Sequence, residues 1–258
     1  MLRFKSLGSG SSGNATVVEA GSGSRVTRLL IDCGFSLKHL DARLGAAGLT
    51  AHQLDAVFIT HEHGDHIGCV RQLALRERIP VWMSRGTHAA LGESELDGLV
   101  QTASDGQAID LGELQLMPFT VPHDAREPLQ LTCSDGQSRL GVLTDLGHAT
   151  AHVLAHLGQC QTLLLECNHD PDLLAASSYP AFLKKRVGGL HGHLANADAA
   201  AIARAVRHPG LQRVVAAHLS KQNNRPALAR TALAEALGCD TVAIDIADAQ
   251  HGTPWIEV

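Results

Sequence analysis

The chain has 258 residues, 45% hydrophobic and 18% charged, a globular composition that excludes disorder, collagen and coiled coil. Lys and Arg total 21 against 26 Asp and Glu, a net charge of −5, so a polyanion would have to be gripped locally rather than by bulk attraction. Histidine appears 16 times while Phe, Trp and Tyr reach only 3%, which argues against a base-stacking surface and points towards metal binding.

The first 35 residues read as β structure: a strand over Leu2 to Leu7, a Gly-Ser turn over Gly8 to Asn14, a strand over Ala15 to Ala20, then Arg28 to Asp32. Ser36 opens a helix with leucines at 37, 40 and 44 and a stop at Gly48. Leu54 to Thr60 is a buried strand feeding directly into His61-Glu62-His63-Gly64-Asp65-His66. A helix follows over Ile67 to Arg78, then a strand over Ile79 to Ser84 and a short helix over His88 to Leu91. Gln107 to Pro122 is β-hairpin with a turn at Asp110-Leu111-Gly112, and Gln130 to Cys133 and Leu140 to Leu143 are strands. Thr150 to Leu157 is helical and Thr162 to Cys167 is an apolar strand. Ala-rich helices are expected near Pro171 to Val187, Asn196 to Arg207 (with Asn196 as N-cap) and Pro226 to Leu237, ending at Gly238. Val214 to Ala217, Val242 to Ile246 and Pro254 to Val258 close the chain as strands.

Strands and helices recur as two similar sets with no mid-chain linker, so residues 1–258 read as one unit, two β layers with helices outside. The six cysteines form no CxxC pair and sit in apolar stretches, as reduced thiols would. No apolar run is long enough for a membrane helix, and the start lacks the apolar core of a signal peptide; a cytoplasmic protein without membrane contact is expected.

The chemistry concentrates in the HEHGDH run. In extended backbone, residues two apart share a face, so His61 and His63 can address one ion, while Gly64 turns Asp65 and His66 towards a second. Imidazole and carboxylate are the usual ligands of zinc and similar divalent ions.

H-x-H-x-D-H after an apolar strand resembles the metallo-β-lactamase superfamily, and further matches follow in order: Asp32 in LLIDCG, His123 in TVPHDA, Asp145 in GVLTDLG and His218 in VVAAHLS. The resemblance runs from about Ser6 to Ser220. It implies an α/β protein of αββα architecture, two mixed β-sheets face to face with helices outside, and a two-metal site. By analogy His61, His63 and His123 hold one ion and Asp65, His66 and His218 the other, with Asp145 bridging; Asp32 has a structural or hydrogen-bonding role. The ions would be Zn, Mn or Fe, the ligand types accepting all three. A redox di-iron role is disfavoured because those relatives place Glu where His63 stands.

Two divalent cations against Asp65 and Asp145 leave a local excess of roughly +2, enough to capture a phosphate on an acidic protein and to favour hydrolysis. Glu166-Cys167-Asn168-His169 followed by Gly192-His193-Leu194 resembles ribonuclease Z, where a glutamate orients a histidine that protonates the leaving alkoxide. SLGSGSSGN, ECNHD and AHLSKQNN together resemble the small bacterial YycJ/WalJ-type metallo-hydrolases, a subgroup associated with 5′-to-3′ exonuclease action on DNA. Neither the long Gly-Pro-rich arm of ribonuclease Z nor the large inserted domain of other nucleases is present.

The expected function is therefore that of a dinuclear metal-dependent phosphodiesterase, a nuclease acting on DNA rather than folded RNA. Asp65 would orient the attacking hydroxide, and His193, assisted by Glu166, would protonate the leaving oxygen. His169, Ser220, Lys221 and Asn223 are candidate substrate-binding residues, although Asn223 and Asn224 also suit a helix cap. The Lys184-Lys185-Arg186 run fits a solvated helix end better than a backbone contact. Hydrolysis of a small or cyclic phosphodiester is the alternative, followed by thioesterase or lactonase activity; a metal-stabilised binding module is the non-enzyme reading. Oligomeric state is not legible.

Overall fold

The computed structural model describes residues 1–92 and 96–258. In the N-terminal half, β1 (Leu2–Gly8), β2 (Ala15–Ser22) and β3 (Arg25–Ile31) form an antiparallel meander. β4 (Ala56–Phe58), β5 (Val81–Met83) and β6 (Val100–Thr102) extend it in parallel. Helices α1 (Leu37–Ala46), α2 (Gly64–Ile67), α3 (Val70–Glu77) and α4 (Arg85–Leu91) lie in the crossovers.

The second half repeats the plan. β7 (Ile109–Leu111), β8 (Leu114–Thr120), β9 (Leu129–Ser134) and β10 (Arg139–Leu143) run antiparallel, and β11 (Thr162–Glu166), β12 (Arg213–Ala217) and β13 (Asp245–Ile246) continue in parallel. Their crossovers carry α5 (Ala151–Leu157), α6 (Pro171–Ala176), α7 (Ala181–Val187), α8 (Asn196–Ala205) and α9 (Pro226–Leu237). β14 (Ile256–Glu257) returns to pair with β1. The strand orders are β14-β1-β2-β3-β4-β5-β6 and β13-β12-β11-β10-β9-β8-β7, two mixed sheets of seven strands.

The period of two in a strand decides the layering. Leu29, Ile31 and Phe58 point between the sheets, meeting Leu116, Leu131, Val142 and Val215 in one apolar cluster. Their neighbours Leu30 and Val57 point outward onto Leu40, Leu44 and Leu73 of α1 and α3. On the other side Leu163, Leu165 and Val214 pack beneath Val153, Ile202 and Leu233 of α5, α8 and α9. Strands buried on both faces are apolar at consecutive positions, which is why LLI and LLL occur here. The result is the expected αββα sandwich.

Several elements differ from the sequence reading. The helix expected over Ile67 to Arg78 breaks at Gly68, whose φ of +29° and close approach to Cys33 leave no room for a side chain. The stretch Pro171 to Val187 divides into α6 and α7 just before Pro180 blocks continuation. Asn196 is not the N-cap of α8. Ala195 is, and the Asn196 amide instead exchanges hydrogen bonds with Asn224 at 2.9 Å. Nor does Asn223 or Asn224 cap α9, whose N-cap is Arg225. Gly238 does end α9 in left-handed backbone (φ +67°). Val242 to Ile246 begins as a 3₁₀ turn and pairs only at Asp245–Ile246. β6 is absent from the sequence reading: in VQT only Val100 is apolar and half-buried, while Gln101 and Thr102 are exposed, so the apolar run that signals a strand is missing.

Candidate active site

β1, β3, β4, β8, β10, β11 and β12 all end at the same edge of the sandwich, and the loops that follow carry the chemistry. Asp32, Asp145 and His218, each just after its strand, adopt left-handed backbone with φ of +59°, +55° and +52°. That conformation costs about 1 kcal/mol or more in a non-glycine residue and marks sites where side-chain direction matters more than stability.

The HEHGDH run supplies four of the groups. His61 and His63 are in extended chain on one face, with His61 Nε2 3.0 Å from His63 Nδ1. His63 precedes α2, a single helical turn that brings Asp65 and His66 round. His123, from the loop after β8, places Nε2 3.3 Å from His63 Nδ1. His66 Nε2 lies 3.0 Å from Asp145 Oδ2 and 3.7 Å from Asp65 Oδ2, and His218 Nε2 lies 3.8 Å from Asp65 Oδ2. All seven residues expected to bind metal are thus brought together, in the groups His61–His63–His123, Asp65–His66–His218 and His61–His66–Asp145.

The hydrogen bonds outside this cluster fix which ring atoms face inward. The Thr60 hydroxyl lies 2.9 Å from Asp32 Oδ2, to which it can only donate, so His61 Nδ1–H donates to Thr60 Oγ1 at 3.0 Å. His66 Nδ1–H donates to Asp32 Oδ2 at 2.8 Å, and His123 Nδ1–H to the Gly192 carbonyl at 3.0 Å. In neutral rings this leaves the Nε2 lone pairs of His61, His66 and His123 turned inward. Asp145 Oδ2 is shielded from solvent without a hydrogen bond among the described residues. Converging lone pairs and carboxylate oxygens in a buried pocket are mutually repulsive unless cations lie between them, so the donor set fits divalent metal ions.

The electrostatics agree. Burial holds His61 well below the usual imidazole range and lowers His123, keeping both neutral as ligands must be. Burial also opposes charge on His66 and His218, but Asp145 overrides it, raising His66 well above its usual range with help from Asp32 and pushing His218 up to about 10. The carboxylates therefore demand positive charge at this place.

Against the cluster, Glu166 at the end of β11 is buried; its Oε2 accepts the Leu146 N–H at 2.9 Å, its Oε1 lies 2.8 Å from His193 Nδ1, and Glu166 and His193 form a fourth donor group with Asp145 and His218. Burial opposes ionisation, but the facing His193 outweighs it and brings Glu166 down to about 2. His193 lines a cavity of about 370 Å³ together with His63, Asp65, Asp145 and His218.

The remaining candidates separate. Ser220 and Lys221 line a second, adjoining cavity, whereas His169 and Asn223 are buried and line neither. Sequence reasoning missed Asp124 and undervalued Arg186. Arg186 lines the metal-side cavity with its Nε 2.5 Å from Asp124 Oδ2, and Asp124 Oδ1 lies 3.4 Å from His123 Nε2. The signal was present, since Asp124 directly follows His123, but nothing in the sequence paired it with a residue 62 positions away.

A family model described as "Beta-lactamase superfamily domain" matches residues 27–219. The chain belongs to that superfamily and is a hydrolase. Within it, the chain is 31% identical to exodeoxyribonuclease YycJ of Bacillus anthracis over 241 residues, covering 92% of this chain and 89% of that one. It is 30% identical to exodeoxyribonuclease WalJ of Streptococcus pneumoniae, covering 92% and 88%. Among solved structures, the metallo-beta-lactamase fold protein YhfI from Bacillus subtilis superposes with a TM-score of 0.74 at 16% identity, over 100% of this chain and 99% of that one.

Proposed function

We propose that the protein is a metal-dependent DNA exonuclease working with two divalent cations. The observation that carries this reading is the conjunction of donor groups meeting at Asp145 with a His193–Glu166 pair that adjoins Asp145 and His218 and opens on the same cavity. The whole-length likeness to YycJ and WalJ supports DNA as the polymer.

His61, His63 and His123 would hold one cation, Asp65, His66 and His218 the other, with Asp145 between them. What such ions supply is Lewis acidity for a water nucleophile and neutralisation of phosphate charge. Zinc, manganese and iron all suit this mixture of imidazole and carboxylate.

The chain's own residues do the rest. The Asp65 carboxylate, about a quarter exposed, faces the cavity and orients the attacking water. His193 donates Nδ1–H to Glu166, which fixes the ring and leaves Nε2 as the atom able to deliver a proton to the leaving oxygen. Although burial opposes it, Glu166 raises the His193 pKa and keeps that proton available near neutrality. The Arg186 guanidinium lines the cavity paired with Asp124, and its N–H groups left over from that ion pair can donate to an entering phosphate.

No helix among the described residues is long and apolar enough to cross a membrane. All six cysteines are unpaired, five of them buried, which supports a reducing compartment such as the cytoplasm.

The experiment is digestion of end-labelled single- and double-stranded DNA by stripped protein with each metal added back. Stepwise shortening from one end, DNA faster than RNA of the same sequence, is expected. Hydrolysis of cyclic or bis-p-nitrophenyl phosphates with no shortening of any strand would overturn the nuclease reading in favour of a small-substrate phosphodiesterase.

A further inference from the structure

Beside the metal-side cavity lies a larger one of about 680 Å³, and Ser11, at the tip of the Gly-Ser turn between β1 and β2, lines both. The size is that of a small-molecule or nucleotide pocket. Its lining combines apolar Leu219, Pro226, Ile246 and Ala247 with the cations Lys221 and Arg225. Neither cation has a carboxylate partner among the described residues; Arg225 Nη1 reaches only the Gln222 and Asn224 carbonyls, at 3.2 and 2.6 Å. The acid in the lining, Asp248, turns Oδ1 to the Gln250 and His251 backbone N–H groups at 2.8 and 2.7 Å.

The loop bearing these cations is held firmly to the metal side. His218 N–H donates to Ser9 Oγ at 2.8 Å, tying the loop to the Gly-Ser turn. Ser220 N–H donates to the Asn168 carbonyl at 2.8 Å, and Asn224 Nδ2 to the Cys167 carbonyl at 2.7 Å. Lys221 is three residues from His218, so its charge is set in register with the cation site.

Resting on the nuclease reading, we propose that this second cavity is a nucleotide subsite. It takes the residue of the DNA strand next to the scissile phosphodiester, with Lys221 and Arg225 on that residue's phosphate and its base and sugar against the apolar lining residues. An anionic group beside an apolar surface is the chemistry of one nucleotide, and the shared Ser11 gives the strand a continuous path between the cavities. A small phosphodiester fills only the metal-side cavity. The subsite thus separates a strand-cleaving enzyme from a small-ester hydrolase.

The test compares the metal-loaded protein with its Lys221→Ala/Arg225→Ala variant on a short single-stranded oligodeoxynucleotide and on bis-p-nitrophenyl phosphate. The expected result is a rise in KM for the oligonucleotide of about a hundredfold, since each of the two charge-assisted contacts is worth about tenfold or more, with the kcat/KM ratio shifting equally towards the small ester. Loss of two phosphate contacts should also flatten the log–log salt dependence of strand binding by about 1.4, at roughly 0.7 per contact for single strands. The charge reversal Lys221→Glu should deepen the defect, and Lys221→Arg should restore most of the affinity. An unchanged ratio, or equal losses on both substrates, would overturn the subsite while leaving the nuclease reading intact. A wild-type protein that hydrolyses the ester and no strand would remove both.

Discussion

His193 Nδ1 stands 2.8 Å from Glu166 Oε1, and Glu166 in turn accepts backbone N–H groups from Leu146 at 2.9 Å and Leu194 at 3.3 Å. The carboxylate is thus pinned by two loop amides, one after β10 and one before α8, before it meets the histidine, and the ring direction is set by the backbone. If His193 delivers the proton, His193→Ala should lower kcat by about 10²- to 10⁴-fold, the usual worth of a general acid. Metal content should stay at the wild-type level. The loss should shrink on an ester with a p-nitrophenolate leaving group, which departs without protonation. Metal analysis showing depletion in the variant would make His193 a ligand instead.

Glu166→Gln tests the orienting role separately. Glutamine keeps the size and one acceptor oxygen but removes the charge that holds the proton on His193. We expect kcat to fall by about 10²-fold, the low end of a general acid's contribution, with KM little moved. A KM effect alone would place Glu166 in substrate binding.

Asp32 binds His66 Nδ1 through Oδ2 and the Thr60 N–H through Oδ1, at 2.8 and 2.9 Å. Asp32 therefore acts through His66, fixing its tautomer and aim. Removing such a partner commonly costs ten- to a hundredfold in metal affinity. Asp32→Ala should do so by competition with a chelator, while Asp32→Asn, which retains an acceptor oxygen, should lose less. Equal affinity in all three proteins would reduce Asp32 to a strand-end residue.

What the sequence made legible was what short-range chemistry controls. The HEHGDH run announces itself because strand periodicity puts His61 and His63 on one face and a glycine permits the turn. The apolar strands announce the layers because each must be covered on both sides. Asp124 with Arg186, and the second cavity, were not legible, because they depend on the path of α7 and of the loop after His218. Asn196 shows the converse: its residue type fits a cap, yet tertiary contact with Asn224 overrode the local preference.

Stripping the metals should cost stability as well as activity. Without them, Asp32, Asp145 and Glu166 face protonated histidines as their charged partners among the described residues, and buried charges paired this way are weakly compensated. A ligand held at a hundred times its Kd stabilises by about 2.7 kcal/mol, which for this chain length is roughly 5–10 °C in Tm. Chelator should lower Tm by that amount per occupied site, and divalent metal should restore it. A melting curve indifferent to both would contradict a resident metal centre.

Gly34 sits where three backbones meet: its N–H donates to the Asn14 carbonyl at 2.9 Å, and Asn14 N–H donates to the Asp65 carbonyl at 2.8 Å. A Cβ at position 34 would fall 1.6 Å from the Asp65 carbonyl oxygen, a main-chain atom that cannot swing aside. Gly34→Ala must therefore push α2 away from Asn14, moving Asp65 and His66 together. Overpacking of this kind costs about 1–3 kcal/mol, and metal affinity should fall with it. Gly45→Ala is the control with opposite sign: within α1, nothing lies within 4 Å of the added methyl. There the substitution should stabilise by about 0.5–1 kcal/mol, because alanine has less backbone entropy to lose. Denaturant titration of the two variants, read beside their metal content, separates strain at the ligand loop from a general intolerance of change; a harmless Gly34→Ala would show that the loop yields where the packing says it cannot.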